Sequence, residues 1–326
     1  MKRTFCTLFD SNYLPHALTL TDSLKKHVQD FVIYCFCMDE KSFKYLVEIK
    51  RPEIIPISSS SLEAHYPELL TAKSNRSKIE YYFTCSASIC SYVFDNNPSL
   101  DLLTYLDADL RFFSSPQSIY QELENMSIGI IEHKLHGFGK RYEKYGRFNV
   151  GWVLFKNDEP ARQCLEKWRT DCIDWCYDYL DNGRFGDQKY LDYWPNTCNN
   201  VHVIKHLGAN LAPWNVGQYR LAYNVEKDIV TVNNEVLIFY HYANFKQVDD
   251  AGFVTSVSRY FTRLHGVLRN HIYKPYIVEL VKYNRLLGIN PVNKGRKDVV
   301  FSNLSNKTKM ISRNIRRFIC SDYISV

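Results

Sequence analysis

The sequence predicts an α/β protein built on a mostly parallel central sheet flanked by helices. Three observations carry that prediction. Buried-strand runs alternate with helical periods through the first half of the 326 residues. One such run, Leu102-Leu103-Thr104-Tyr105-Leu106, ends in two carboxylates, Asp107 and Asp109, at the strand end where open α/β sheets bind ligands. The composition, 45% hydrophobic and 23% charged, is that of an ordinary globular domain.

The elements come in order along the chain. Thr4-Phe5-Cys6-Thr7-Leu8-Phe9 reads as the first strand. Leu18, Leu20, Leu24 and Val28 give the segment from Leu14 to His27 a helical period. Phe31–Cys37 is a second buried strand, Lys41–Ile49 a short helix, and Glu53–Ile57 an edge strand, because Pro56 cannot donate to a ladder. Ser58–Ser61 reads as a loop, and a helix is expected from about Ser77 to Phe94. Asn96-Asn97-Pro98-Ser99 then turns the chain into the strand ending at Asp107. Beyond it come strands at Ser127–Ile131 and Asn149–Phe155, joined by a basic, glycine-punctuated loop, His133–Arg147. A helix over Pro160–Leu180 and a late strand, Glu235–Tyr240, complete the pattern.

The net charge of +6 is carried entirely by residues 294–326, which hold eight basic and two acidic side chains. Residues 1–293 are therefore formally neutral, which argues against nucleic acid as a partner. The division expected is a catalytic domain, 1–293, and a basic amphipathic tail, 294–326. In that tail Met310, Ile311, Ile315, Phe318 and Ile319 share a helical face, with Lys307, Lys309, Arg313, Arg316 and Arg317 largely elsewhere. Such a segment suits an in-plane anchor to an anionic membrane surface, a last helix packed on the domain, or a solubilising tail. No apolar run reaches the roughly 18 residues of a membrane span, and the N-terminus lacks a signal-peptide core, so a cytoplasmic protein is expected, peripheral to the inner membrane face through its tail. The ten cysteines form no C-x-x-C pair and are expected to be reduced and structural.

Two acids one residue apart at a strand end offer hard oxygen ligands to Mg²⁺ or Mn²⁺, which bridge diphosphates well. His241, at the end of the late strand, can complete such a set and shifts the preference toward Mn²⁺. With these residues in hand the chain resembles the GT-A glycosyltransferases, most closely the retaining family 8 group, over roughly residues 4–250. The resemblance rests on five stretches in order: Phe9-Asp10-Ser11-Asn12-Tyr13-Leu14-Pro15, Leu106-Asp107-Ala108-Asp109, Phe148–Phe155, Gly186-Asp187-Gln188, and His241-Tyr242-Ala243-Asn244-Phe245-Lys246. There are departures. Asn244 replaces a glycine, the lysine comes one residue early, and the helix before the metal strand lacks the arginine that faces the donor, for which Arg76 or Lys78 would substitute.

The resemblance implies a metal-dependent hexosyl- or N-acetylhexosaminyltransferase. Its donor would be a nucleotide-sugar, in the first place a UDP-sugar, and its acceptor a glycan or lipid-linked glycan of a surface polysaccharide. It implies a metal set of Asp107, Asp109 and His241. Phe9, Asp10, Asn12 and Tyr13 would hold the nucleoside, with Ala108, Gly151 and Lys246 also on the donor. Asn149, Asp187 and Gln188 would act at the sugar. The residues alone also allow plainer roles: Asp10 as a cap, Asp187-Gln188 as a helix start, Lys246 as a solvated lysine. The rivals are a non-catalytic nucleotide-sugar-binding protein, a nucleotidyltransferase, which would need a glycine-rich loop absent from Phe9–Pro15, and a haloacid-dehalogenase-type phosphatase, which would need Thr or Val where Arg111 stands.

Overall fold

The computed structural model describes residues 2–249, 251–289 and 313–325. The chain runs β1 (Arg3–Phe9), α1 (Leu14–His27), β2 (Phe31–Cys37), α2 (Glu40–Ile49), β3 (Ile54–Ser58), α3 (Ser59–His65), α4 (Glu68–Asn75), α5 (Lys78–Asn96), β4 (Leu102–Leu106) and β5 (Leu110–Phe112). It continues through α6 (Gln117–Glu122), β6 (Ile128–Glu132), β7 (Phe148–Lys156), α7 (Glu159–Asp174), α8 (Trp194–Thr197) and β8 (Val201–Val203). The central sheet has seven strands in the order β3-β2-β1-β4-β7-β6-β8. Only β7 runs against its neighbours. Its N-terminal end therefore meets the C-terminal ends of β1 and β4 at one edge.

Period-2 alternation divides the strands between two cores. Phe5, Leu106, Trp152 and Leu154 pack with α1 and α2 on one face, while Cys6, Tyr105, Val153 and Phe155 pack with α5 and α7 on the other. Each fully buried aromatic or leucine contributes about 1.5–3 kcal/mol. Helix starts arise from local chemistry. Ser77 and Glu80 close a reciprocal capping box on α5, and Asp158 caps α7. Ser58 accepts from the Ser61 N–H and caps α3, so the serine run expected as a loop begins a helix.

Three further expectations are corrected. The loop His133–Arg147 contains a 3₁₀ segment, Gly137–Tyr145. The helix expected to reach Leu180 ends at Asp174, where Trp175, Tyr177 and Tyr179 gather into one aromatic cluster beneath Arg184. Cys164 of α7 and Cys198, 34 residues apart, form a disulfide, so not all cysteines are free. The other eight are free and buried.

The second half adds β9 (Leu221–Asn224), β10 (Ile229–Val232), β11 (Glu235–Val236), β12 (Phe239–His241), β13 (Lys246–Gln247), β14 (Gly252–Val254), α9 (Lys274–Leu286) and β15 (Ile324–Ser325). The single late strand expected over Glu235–Tyr240 is split. Glu235–Val236 pairs with β10, and Phe239–His241 pairs antiparallel with β5. Leu237, Tyr240, Phe253, Tyr273 and Ile324 build a third core. Residues 313–319 are helical. Their apolar side chains stay out, Phe318 at 87% exposure, and Met310, Ile311, Lys307 and Lys309 lie outside the described residues. The segment is anchored instead by Asp322 and Ile324, just beyond the helix. Ile324 pairs with Phe253, and the buried Asp322 accepts the backbone N–H groups of Thr255 (3.0 Å) and Ser258 (3.2 Å) together with both hydroxyls. Among the described residues no helix is long and apolar enough to cross a membrane.

Candidate functional site

Strand direction assembles the site. Asp107 and Asp109 leave the C-terminal end of β4, and the Asp107 N–H donates to Gly151 O of β7 (3.0 Å). Pairing of His241 with Leu110 places the imidazole beside them, and the Tyr242 N–H closes the join on Asp109 O (3.0 Å). His241 Nε2 lies 3.1 Å from Asp109 Oδ1 and 3.6 Å from Asp107 Oδ2. The three ligand atoms fall within 4.8 Å of one another. Two carboxylate oxygens and an imidazole nitrogen at that spacing fit a divalent ion.

The electrostatics are those of a cation site. For His241 burial opposes protonation, but the Asp109 and Asp107 carboxylates outweigh it and its pKa is raised. Burial also raises Asp107, with the neighbouring Asp109 charge adding to it. Burial works the same way on Asp109, yet His241 prevails and holds it below the usual carboxylate range. The two carboxylates thus favour positive charge at this position, which a bound metal ion would also supply.

A chain of side chains running from His241 through Asn149 to His133, the last of which sequence reasoning missed, orients the imidazole. His241 Nδ1 faces Asn149 Oδ1 (3.2 Å), Asn149 Nδ2 faces His133 Nε2 (3.4 Å), and His133 Nδ1 faces the carbonyl of Arg147 (3.2 Å). Burial lowers the His133 pKa to about 4, so the ring is neutral at physiological pH. The consistent assignment has His133 donating to Arg147 O, Asn149 donating to His133, and His241 donating to Asn149, with Nε2 turned to the acids. Trp214 packs edge-on against both rings, at 5.0 Å from His133 and 5.1 Å from His241. Gly151 makes room for this arrangement, since a Cβ there would lie 2.6 Å from Asn149 Oδ1 and 2.9 Å from the imidazole. Asn215 braces the same loop, donating to His133 O (2.9 Å).

The triad lines a cleft of about 480 Å³, within the range of small-ligand sites. Phe9, Asp10, Asn12, Tyr13, Lys78, Ala108, Asn149, Asp187 and Gln188 line it as well. Asp10 is buried and heavily engaged. Its Oδ1 accepts the Asn12 N–H (2.9 Å), and its Oδ2 accepts Lys78 Nζ (2.6 Å) and Tyr82 OH (3.4 Å). Asp187 is 6% exposed. Burial pushes its carboxyl up to about 7; a hydrogen bond from Ser86 works against this and the Asp107 charge with it. Gln188 donates to Tyr145 O (3.0 Å), tying the cleft to the 3₁₀ segment.

Three of the named residues are not in the cleft wall. Arg76 turns away, donating to Thr84 Oγ1 (2.8 Å) and Ile173 O (2.5 Å) over the Tyr177 ring, so of the two substitutes only Lys78 faces the cleft. Gly151 fronts His241 rather than the open cleft. Lys246, on β13, lines a separate cavity. His16, which no motif singled out, sits near the acids; its Nδ1 is 2.5 Å from Tyr276 OH and burial lowers its pKa to about 4.

No protein-family model matches the chain. Two uncharacterised proteins of Bacillus subtilis strain 168 align with most of it. YfnD is 32% identical over 283 residues, covering 86% of this chain and 89% of YfnD. YfnF is 31% identical over 255 residues, covering 76% and 83%. Among solved structures the galactosyltransferase LgtC, in complex with donor and acceptor sugar analogues, superposes with a TM-score of 0.53 at 15% identity, over 87% of this chain and 99% of that one. The fold is that of the GT-A glycosyltransferases.

Proposed function

The chain belongs to the family of Bacillus subtilis YfnD and YfnF, and from that premise and its GT-A fold we propose that it is a metal-dependent glycosyltransferase. The donor is a nucleotide-sugar, in the first place a UDP-sugar, the acceptor a glycan or lipid-linked glycan of a surface polysaccharide, and the anomeric configuration is retained. The observation that carries this reading is the Asp107–Asp109–His241 triad on the floor of a cleft that also holds a buried, partly neutral carboxyl, Asp187.

Asp107, Asp109 and His241 would hold a divalent ion, Mn²⁺ in preference to Mg²⁺ because one ligand is nitrogen. Bound there, the ion supplies Lewis-acid stabilisation of a diphosphate leaving group. Asn149 fixes the imidazole through Nδ1 and leaves Nε2 to face the ion. Tyr13, 46% exposed, offers its ring to a base, and Asp10 with Lys78 offers a charged pair to the ribose side. Asp187 and Gln188 stand on the sugar side of the cleft. The raised pKa of Asp187 derives in part from the Asp107 charge. Neutralising Asp107 relieves that part, so the carboxylate becomes available to stabilise developing positive charge at the anomeric carbon.

The direct test screens a panel of nucleotide sugars for Mn²⁺-dependent hydrolysis and transfer. At least one donor is expected to turn over, with turnover abolished by EDTA and by Asp109→Asn while the fold is retained. His241→Ala is expected to be milder. Failure of every donor to bind or react with any divalent ion, or full activity in Asp109→Asn, overturns the reading.

A further inference from the structure

Among the described residues a second cavity, of about 310 Å³, shares no lining residue with the cleft. The two adjoin through an aromatic wall: Tyr142, lining the second cavity, stacks on Tyr145 at 6.2 Å, and Tyr145 packs at 4.7 Å on Phe185 of the cleft. Among the described residues six cationic side chains line it. Arg141 comes from the 3₁₀ segment, Lys246 from β13, Arg259 from the turn after β14, and Arg313, Arg316 and Arg317 from the helical turn at 313–319. Among the described residues none of the six forms an ion pair. The one carboxylate in the wall among the described residues, Asp322, is already saturated by the N–H and hydroxyl groups of Thr255 and Ser258. Arg316 Nε is buried with no hydrogen-bond partner among the described residues. Unpaired like charges gathered in a concave wall repel one another, and an oxyanion relieves that cost.

We propose that this cavity is a phosphate-binding subsite for the acceptor side of the reaction. It takes the phosphate or diphosphate through which a glycan acceptor is joined to its carrier; the acceptor assignment rests on the glycosyltransferase reading, whereas phosphate binding does not. Arginine forks match phosphate oxygens in pairs, and five of the six cations are arginines. The surroundings fit an amphiphile. The Arg316 guanidinium sits 5.5 Å over Phe261, which packs at 5.3 Å on Phe138, and those rings are 52% and 73% exposed. Ile315, Phe318 and Ile319 are exposed on the same turn as the arginines. The tail arginines Arg313, Arg316 and Arg317 therefore serve a pocket shared with the body, with exposed apolar residues beside it to meet a lipid surface.

The test titrates inorganic pyrophosphate into the full-length protein in EDTA at low salt, so that the metal cleft does not contribute. Binding is expected, and Arg259→Gln with Arg317→Gln should weaken it by about tenfold or more, the scale of one lost charge-assisted hydrogen bond. Asp109→Asn should bind pyrophosphate as the wild type does. The arginine double variant should keep its melting temperature and its Mn²⁺-dependent donor hydrolysis while its KM for a phosphate-bearing acceptor rises. Arg317→Gln alone repeats the test with a smaller loss should the double variant prove unstable. Phosphatidylglycerol vesicles captured through the same arginines, with phosphatidylcholine vesicles ignored, identify a lipid headgroup as the source. Pyrophosphate binding without vesicle capture identifies a soluble phosphorylated group. No pyrophosphate binding in EDTA, equal binding by the arginine variants, or loss of binding in Asp109→Asn overturns the proposal.

Discussion

Asp187 is a residue whose ionisation the fold controls directly. Buried at 6% exposure, it has a carboxyl pushed up to about 7 from an ordinary value of 3.8. Between those two pH values the folded protein keeps a proton that the unfolded chain has lost. Stability from this group is therefore complete below about pH 4 and falls as pH rises through about 7. Urea unfolding of the metal-free protein at pH 5 and pH 8 should show a loss of up to a few kcal/mol over that interval, and Asp187→Asn should remove most of it. A slope unchanged in Asp187→Asn would assign the pH dependence to other groups. The same variant should keep Mn²⁺ binding, because Asp187 is not among the proposed ligands, but lose sugar transfer. That separates the two carboxylate roles in one cleft. Asp10 illustrates the opposite case: the bonds from Lys78 and the Asn12 N–H give it a structural duty beside any part in nucleoside binding.

At the level of elements, the site depends on how closely β7 approaches β12. Gly151 is the point of contact, and its φ lies outside the left-handed region, so only space forbids a side chain there. Gly151→Ala would push a methyl group into the buried Asn149 and His241, displacing the imidazole from the acids. Affinity for Mn²⁺, read by electron paramagnetic resonance on the full-length protein, should fall by roughly 10–100-fold, the usual cost of disturbing a ligand's support. Unchanged affinity would show that His241 contributes no ligand. The Asp-x-Asp pair was legible in the sequence because a strand end and two acids are local features, and so were β1, α1, β2, α5 and β4. The His133–Asn149–His241 chain was not, since it needs the antiparallel pairing of β6 with β7 and a separate pairing of β12 with β5. The split of Glu235–Tyr240 was hidden for a related reason. Its apolar run is continuous, but the Leu237 N–H goes to Val230 and the Ile238 N–H to Gly208, so the chain changes sheets within one hydrophobic stretch. Cys164 and Cys198 are likewise joined only by the packing of α7 against the segment after α8.

Over the whole molecule the uneven charge acquires a structural explanation. Of the eight basic residues behind the +6 surplus of residues 294–326, three, Arg313, Arg316 and Arg317, belong to a described segment, 313–325. These arginines enter a cavity wall, and Asp322 and Ile324 fasten the segment to the β14 region. Deleting 313–326 would take away a strand, a buried isoleucine and the acceptor for four donors on Thr255 and Ser258. Two of those donors are backbone N–H groups, which cost about 1–3 kcal/mol each when left buried without a partner. The deletion should therefore lower the melting temperature by roughly 5–10 °C for a chain of this size. Asp322→Asn should account for part of that fall, since an amide oxygen can replace only one of the two carboxylate acceptors. Donor hydrolysis with Mn²⁺ should survive at temperatures below the new transition, because none of the described cleft residues lies in the deleted segment. A melting temperature equal to that of the full chain would mean that β15 and the Asp322 contacts are not formed in solution. Loss of hydrolysis in a deletion that still folds would instead make the tail part of the catalytic unit.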